Sequence, residues 1–120
     1  MKIDRLSRTA LAKLLRGDVL EDATCVIKFY SSNCHLCHGL QDTYQEIAQE
    51  YEDIHFFAFN IRDNPRIPQR LGFKGVPTIS IMKVSRGIKP DVKKMGEPPQ
   101  PDKKMWYTAE NIINFIEKEK

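Results

Sequence analysis

The residues best suited to chemistry are gathered in Ser31–Gly39, which reads SSNCHLCHG. Cys34 and Cys37 stand two residues apart, and His38 follows the second directly. Three chemistries use such a string. A thiol pair at this spacing can alternate between dithiol and disulfide. A C-x-x-C can instead be half of a zinc site. With its trailing histidine it also has the form of a c-type haem attachment site, His38 serving as axial ligand.

The flanking sequence decides how these sulfurs would be held. Thr24–Tyr30 (TCVIKFY) is short, β-branched and aromatic, and reads as a buried strand. From Cys34 to about Glu52 a helix is expected, with Leu36, Leu40, Tyr44, Ile47 and Tyr51 along one stripe. Cys34 then sits where unpaired backbone N–H groups and the positive end of the helix dipole stabilise a thiolate. In such motifs the thiol pKa falls from about 8.5 toward roughly 3.5–7.5. Cys37 lies one turn deeper on the same face, at a Cα separation of about 5 Å that a disulfide tolerates. In that scheme Cys34 is exposed and attacks, and Cys37 is shielded and resolves the mixed disulfide.

The competing chemistries find less support. Small haem-c electron carriers are mostly helical, whereas this motif follows a strand. A zinc site needs two further ligands, and only Cys25 and scattered histidines are available. Cys25, mid-strand among apolar neighbours, reads as a small core residue. His35 has two readings: a cation that favours the Cys34 thiolate, or a solvent-facing side chain. His38 is expected at the surface.

The rest of the chain must build the frame. Leu6, Ala10, Leu11, Leu14 and Leu15 predict a helix over Ser7–Arg16, with Gly17 as its stop. His55–Ile61 reads as a second strand. Asn64-Pro65 reads as an N-cap followed by a first-turn proline, for a short helix ending near Leu71-Gly72. Val76–Lys83 is a third strand and Met105–Tyr107 a fourth, leading through the cap Thr108 into a last helix. Residues 84–104 are rich in Pro, Lys and Gly without periodicity, and read as a long basic hairpin excursion. This order implies an α/β fold, a central mixed sheet with helices on both faces.

Composition sets outer bounds. At 120 residues, 41% apolar and 29% charged, the chain is expected to form a single globular domain, 1–120. No stretch approaches the roughly 18 apolar residues of a membrane span, so no membrane partner is expected. Residues 1–8 contain no apolar core for a signal peptide, which makes a cytoplasmic location the expectation unless such a segment was removed. The net charge of +3 is concentrated in residues 62–104, and reads as a solvated face rather than a nucleic-acid surface.

On these residues the chain resembles the thioredoxin family. The resemblance is carried by Val26–Cys37 (VIKFYSSNCHLC), Asn60–Pro65 (NIRDNP) and Leu71–Thr78 (LGFKGVPT), and the motif Gly75-Val-Pro-Thr78 at the head of a strand is its most specific part. It implies a thioredoxin fold and a protein-disulfide oxidoreductase, with catalytic Cys34 and Cys37. It implies that Pro77 is cis, setting Val76 and Pro77 against the cysteine pair and leaving the Val76 backbone free to pair with an extended substrate. Three positions depart from the family pattern. Asn33, on the substrate side, replaces the usual Trp, and His35-Leu36 replaces Gly-Pro. Lys28 stands where the family places a buried carboxylate that helps deprotonate the resolving cysteine. A charged lysine cannot do that; it could instead favour a thiolate, or point outward. The excursion and the ending Tyr107–Ile116 also resemble protein disulfide isomerase domains.

The reading as a whole is therefore a monomeric thiol–disulfide oxidoreductase without cofactor or metal. Its partners would be protein disulfides, with a thiol reductase or glutathione as electron source. The alternatives are a redox-inactive binding module on the same fold and the haem electron carrier.

Overall fold

The computed structural model describes residues 3–120, so the first two residues of the expected 1–120 unit lie outside it. In chain order it forms β1 (Asp4–Arg5), α1 (Arg8–Arg16), β2 (Ala23–Tyr30), α2 (His35–Gln49), β3 (Ile54–Asn60), a 3-10 turn (Ile61–Asp63), α3 (Ile67–Leu71), β4 (Thr78–Val84), β5 (Val92–Lys94) and α4 (Ala109–Glu119). The sheet order is β1-β3-β2-β4-β5. β1, β3 and β2 run parallel, while β4 is antiparallel to β2 and β5 antiparallel to β4.

β2 is central because its side chains are wanted on both faces. Val26 points into a core shared with Leu40 and Tyr44 of α2 and Ile112 and Ile116 of α4. Cys25, Ile27 and Phe29 point to the opposite core, against Leu11 and Leu15 of α1 and Ile67 of α3. Each fully buried Ile or Phe here contributes about 1.5–3 kcal/mol through removal from water. The period-2 alternation of the strand thus feeds two layers of helix.

Caps fix where the helices begin and end. Ser7 accepts the Ala10 N–H (3.0 Å) at the start of α1, and Gly17 ends it in the left-handed conformation. At α4 a reciprocal capping box forms: the Asn111 N–H donates to Thr108 Oγ1, and the Thr108 N–H donates to Asn111 Oδ1, both at 3.1 Å. Among the described residues no helix is long and apolar enough to cross a membrane.

The structure corrects the sequence reading in three places. The expected strand Met105–Tyr107 does not form: Trp106 makes an isolated bridge to Asp102 and takes a left-handed φ of 67°, which breaks the extended run. The strand pairing with β4 is instead β5, inside the 84–104 excursion. It is an edge strand three residues long with two exposed lysines, too short to show a period. α3 starts at Ile67 rather than Pro65, because Asn64 Oδ1 accepts the Arg66 N–H in a local turn (3.3 Å) and leaves Arg66 as the cap. Finally, α2 ends at Gln49, earlier than the expected Glu52.

Candidate active site

Cys34 is the N-cap residue of α2, directly beyond the carboxyl end of β2. Its backbone is extended (φ −96°, ψ 105°) and its sulfur accepts the Cys37 N–H at 3.0 Å. The helix thus begins by aiming a free N–H at a sulfur, an arrangement that favours negative charge on that atom. The two sulfurs are joined as a disulfide, with a Cα separation of 5.2 Å. Cys34 is partly exposed, whereas Cys37 retains 3% of its surface.

The second half of the site arrives on the turn that leads into β4. The Val76–Pro77 peptide bond is cis, and the Val76 carbonyl oxygen lies 3.7 Å from the Cys34 sulfur. Pro77 is buried and Val76 half-buried. The Thr78 hydroxyl donates to the Gly75 carbonyl at 2.6 Å and closes this turn on itself. Cys34, Cys37, Val76 and Pro77, far apart in sequence, are brought together at one end of the sheet.

The remaining candidates are distributed around them. Asn33 and His35 flank Cys34 and are exposed. His38 is exposed as expected, and its Nε2 donates to the Ser32 carbonyl at 2.9 Å. This contact takes up the nitrogen that the haem reading needed, and the sulfurs it would have attached are bonded to each other. Cys25 packs in the opposite core, where burial pushes its thiol up to about 11. Among the described residues no group of three His, Cys, Asp or Glu side chains is placed to hold a metal ion. Asn60 was read only as the start of the NIRDNP motif and not as a site residue. Buried at the end of β3, it donates from Nδ2 to Ser32 Oγ at 3.1 Å and braces the turn that presents Asn33 and Cys34. A polar residue closing an apolar strand beside the motif was the available signal.

Lys28 does not point outward. It is 7% exposed, on the α2 side of β2, in the wall of a cleft of about 300 Å³ that Cys37 also lines. Its Nζ lies 5.2 Å from the Tyr44 ring centroid and 5.7 Å from that of Tyr30. Burial lowers its pKa below the usual lysine range.

A second hollow, about 570 Å³, opens between Leu36, Phe73, Val76 and Pro77, with Met95 of the excursion and Trp106 just beyond its end also in the wall. The returning arm of the excursion rests directly on α2: a Cβ at Gly39 would overlap the Lys104 carbonyl oxygen. Gly39 is therefore a packing residue.

The Thioredoxin family model matches residues 9–104 of the chain. The chloroplastic F-type thioredoxin of Pisum sativum is 32% identical over 69 residues, covering 57% of this chain and 38% of that protein. The thioredoxin of Acidithiobacillus ferridurans is 32% identical over 71 residues, 58% of this chain and 66% of that one. The match thus spans less than two thirds of either relative. The crystal structure of Chlamydomonas reinhardtii thioredoxin f2 has the same fold, with a TM-score of 0.72 at 18% identity over 99% of this chain and 97% of that one. Sequence match, sheet order and the meeting of a C-x-x-C with a cis-proline turn lead to one conclusion: this chain belongs to the thioredoxin family.

Proposed function

We propose that the protein is a thiol–disulfide oxidoreductase that exchanges electrons with protein disulfides through Cys34 and Cys37. The observation that carries this reading is the pair of sulfurs at the mouth of α2, one partly exposed and one buried, facing the Val76 carbonyl. The Cys34 thiolate attacks a substrate disulfide; a Cys34–substrate bond forms, and the other substrate sulfur leaves as a thiolate and takes a proton. Cys37 then attacks the Cys34 sulfur, the Cys34–substrate bond breaks, and the second substrate thiolate departs. The substrate gains two electrons and the protein holds the disulfide.

Burial of Cys37 supports this division of roles, since a bulky substrate reaches Cys34 first. Val76 and Pro77 form the platform for the substrate main chain, and Asn33 and His35, exposed on either side of Cys34, meet the substrate next to its cysteine. A dithiol reductase or glutathione returns the electrons.

The test is turnover of insulin disulfides. Cys34→Ser is expected to abolish it, and Cys37→Ser to accumulate mixed disulfides on Cys34 under mild oxidation. Full turnover by Cys34→Ser would overturn the reading, and partner affinity that survives loss of both cysteines would mark a binding module instead.

A further inference from the structure

The cleft of about 300 Å³ beside Cys37 holds a positive charge that nothing in its walls answers. Its two cations are Arg5 from β1 and Lys28 from β2. Its other titratable groups are Tyr30, His38 and Tyr44, besides Cys37 itself. Among the described residues, no carboxylate lines it.

Most of these groups are occupied. The Arg5 guanidinium pairs with Asp63 at 2.9 Å, a residue outside the cleft wall. The Tyr44 hydroxyl donates to the carbonyls of Phe57 (2.7 Å) and Val26 (3.2 Å). The His38 Nε2 is committed to the Ser32 carbonyl. Lys28 is different. More than nine-tenths buried, its amine meets the faces of Tyr30 and Tyr44, and among the described residues it has no carboxylate partner. The rings answer part of the charge but offer no oxygen to its three N–H donors.

We propose that this cleft binds a small monocarboxylate, with the carboxylate on the Lys28 ammonium and a short hydrocarbon chain beside Ile3 and Ala58. Charge selects the monoanion. Arg5 is already balanced by Asp63, so one negative charge leaves the cleft neutral, whereas a dianion would bring in a charge without a partner. Shape selects an organic acid over an inorganic one. Ile3 and Ala58 are half-buried and apolar, and the Tyr30 ring adds a flat wall beside them. At the cleft's edge the exposed amides of Gln41 and Gln45 can donate to a carboxylate oxygen that Lys28 leaves free. Burial lowers the Lys28 pKa because a lone ammonium is costly there, and a carboxylate beside it offsets that cost. Binding of this kind needs neither sulfur to react, so it goes beyond the exchange chemistry.

The probe is sodium butyrate, titrated into the oxidised, isotope-labelled protein at neutral pH and constant ionic strength. Saturable shifts of the Lys28, Tyr30 and Ala58 amide signals are expected, with a Kd of about 1 mM for so small a ligand. Lys28→Met is expected to weaken binding about tenfold or more, the loss of one hydrogen bond to a charged group. Butyramide, which has the same shape without the charge, should bind more weakly by a similar factor, and so should inorganic phosphate. The spectrum of the Met variant reports its folding, and Lys28→Gln serves if that protein does not fold. Equal binding of butyramide, an unchanged affinity in the Lys28 variant, or shifts confined to the exposed lysines of the excursion would overturn the site. Phosphate binding as tightly as butyrate would overturn the choice of a monocarboxylate.

Discussion

The Cys34 sulfur lies 3.7 Å from the Val76 carbonyl oxygen, although the two residues are 42 positions apart. Sheet topology accounts for it. β4 runs antiparallel to β2, with Phe29 opposite Thr78, so the end of one strand meets the beginning of the other. The Val76 main chain is thereby held at the sulfur, before β4 begins its pairing.

A substrate read through that backbone should be sensitive to its own amides and tolerant of its side chains. In a peptide disulfide series, N-methylation of the one amide that pairs with Val76 is expected to lower kcat/KM by about 2- to 12-fold, the net worth of one hydrogen bond. Alanine substitutions of the same peptide should cost less. Equal losses from both would remove Val76 from the recognition step.

The Cys34 sulfur is also the acceptor that caps α2. Cys34→Ala and Cys34→Ser should both be inactive, yet under reducing conditions the alanine protein should be less stable by about 0.5–2 kcal/mol, since only serine retains a cap acceptor. Urea unfolding of the two variants side by side measures the difference.

Lys28 gives stability a pH dependence of known sign. Its folded pKa is lowered from 10.5 by burial. Below the lowered value both states hold the proton, and the cost of a buried ammonium is fully present. Between that value and 10.5 the unfolded chain binds a proton that the folded chain does not, so stability rises with pH across this window. In the oxidised protein, where Cys37 does not titrate, Lys28→Met should therefore be the more stable at neutral pH, by about 1 kcal/mol. That advantage should shrink as pH approaches 10.5. A gap that does not change with pH would mean that Lys28 is not the titrating group.

Much of the frame was legible because it rests on local signals. Ser7, Gly17 and Thr108 mark helix ends by capping chemistry, and VIKFY declares a buried strand by its apolar run. The cysteine pair was legible for the same reason, its spacing being one turn of helix. What was not legible depends on contacts distant in sequence. β1 and β5 are two and three residues long and exist through their neighbours in the sheet. Trp106 lies in a β-prone triplet, but its pairing with Asp102 and the Asp102 carboxylate's hold on the Lys104 and Met105 N–H groups turn the chain into a tight loop. The orientation of Lys28 was open because strand alternation assigns a face, while burial depends on which helix covers that face.

The contact of Gly39 with Lys104 carries a mechanical consequence. One end of the loop that holds Trp106 over the larger hollow is seated on the same helix whose first turn carries both sulfurs. The wall and the reacting atoms are thereby coupled as one lever: a guest that prises Trp106 outward pulls on the helix beneath, and the fit of a distant side chain is felt at the sulfur.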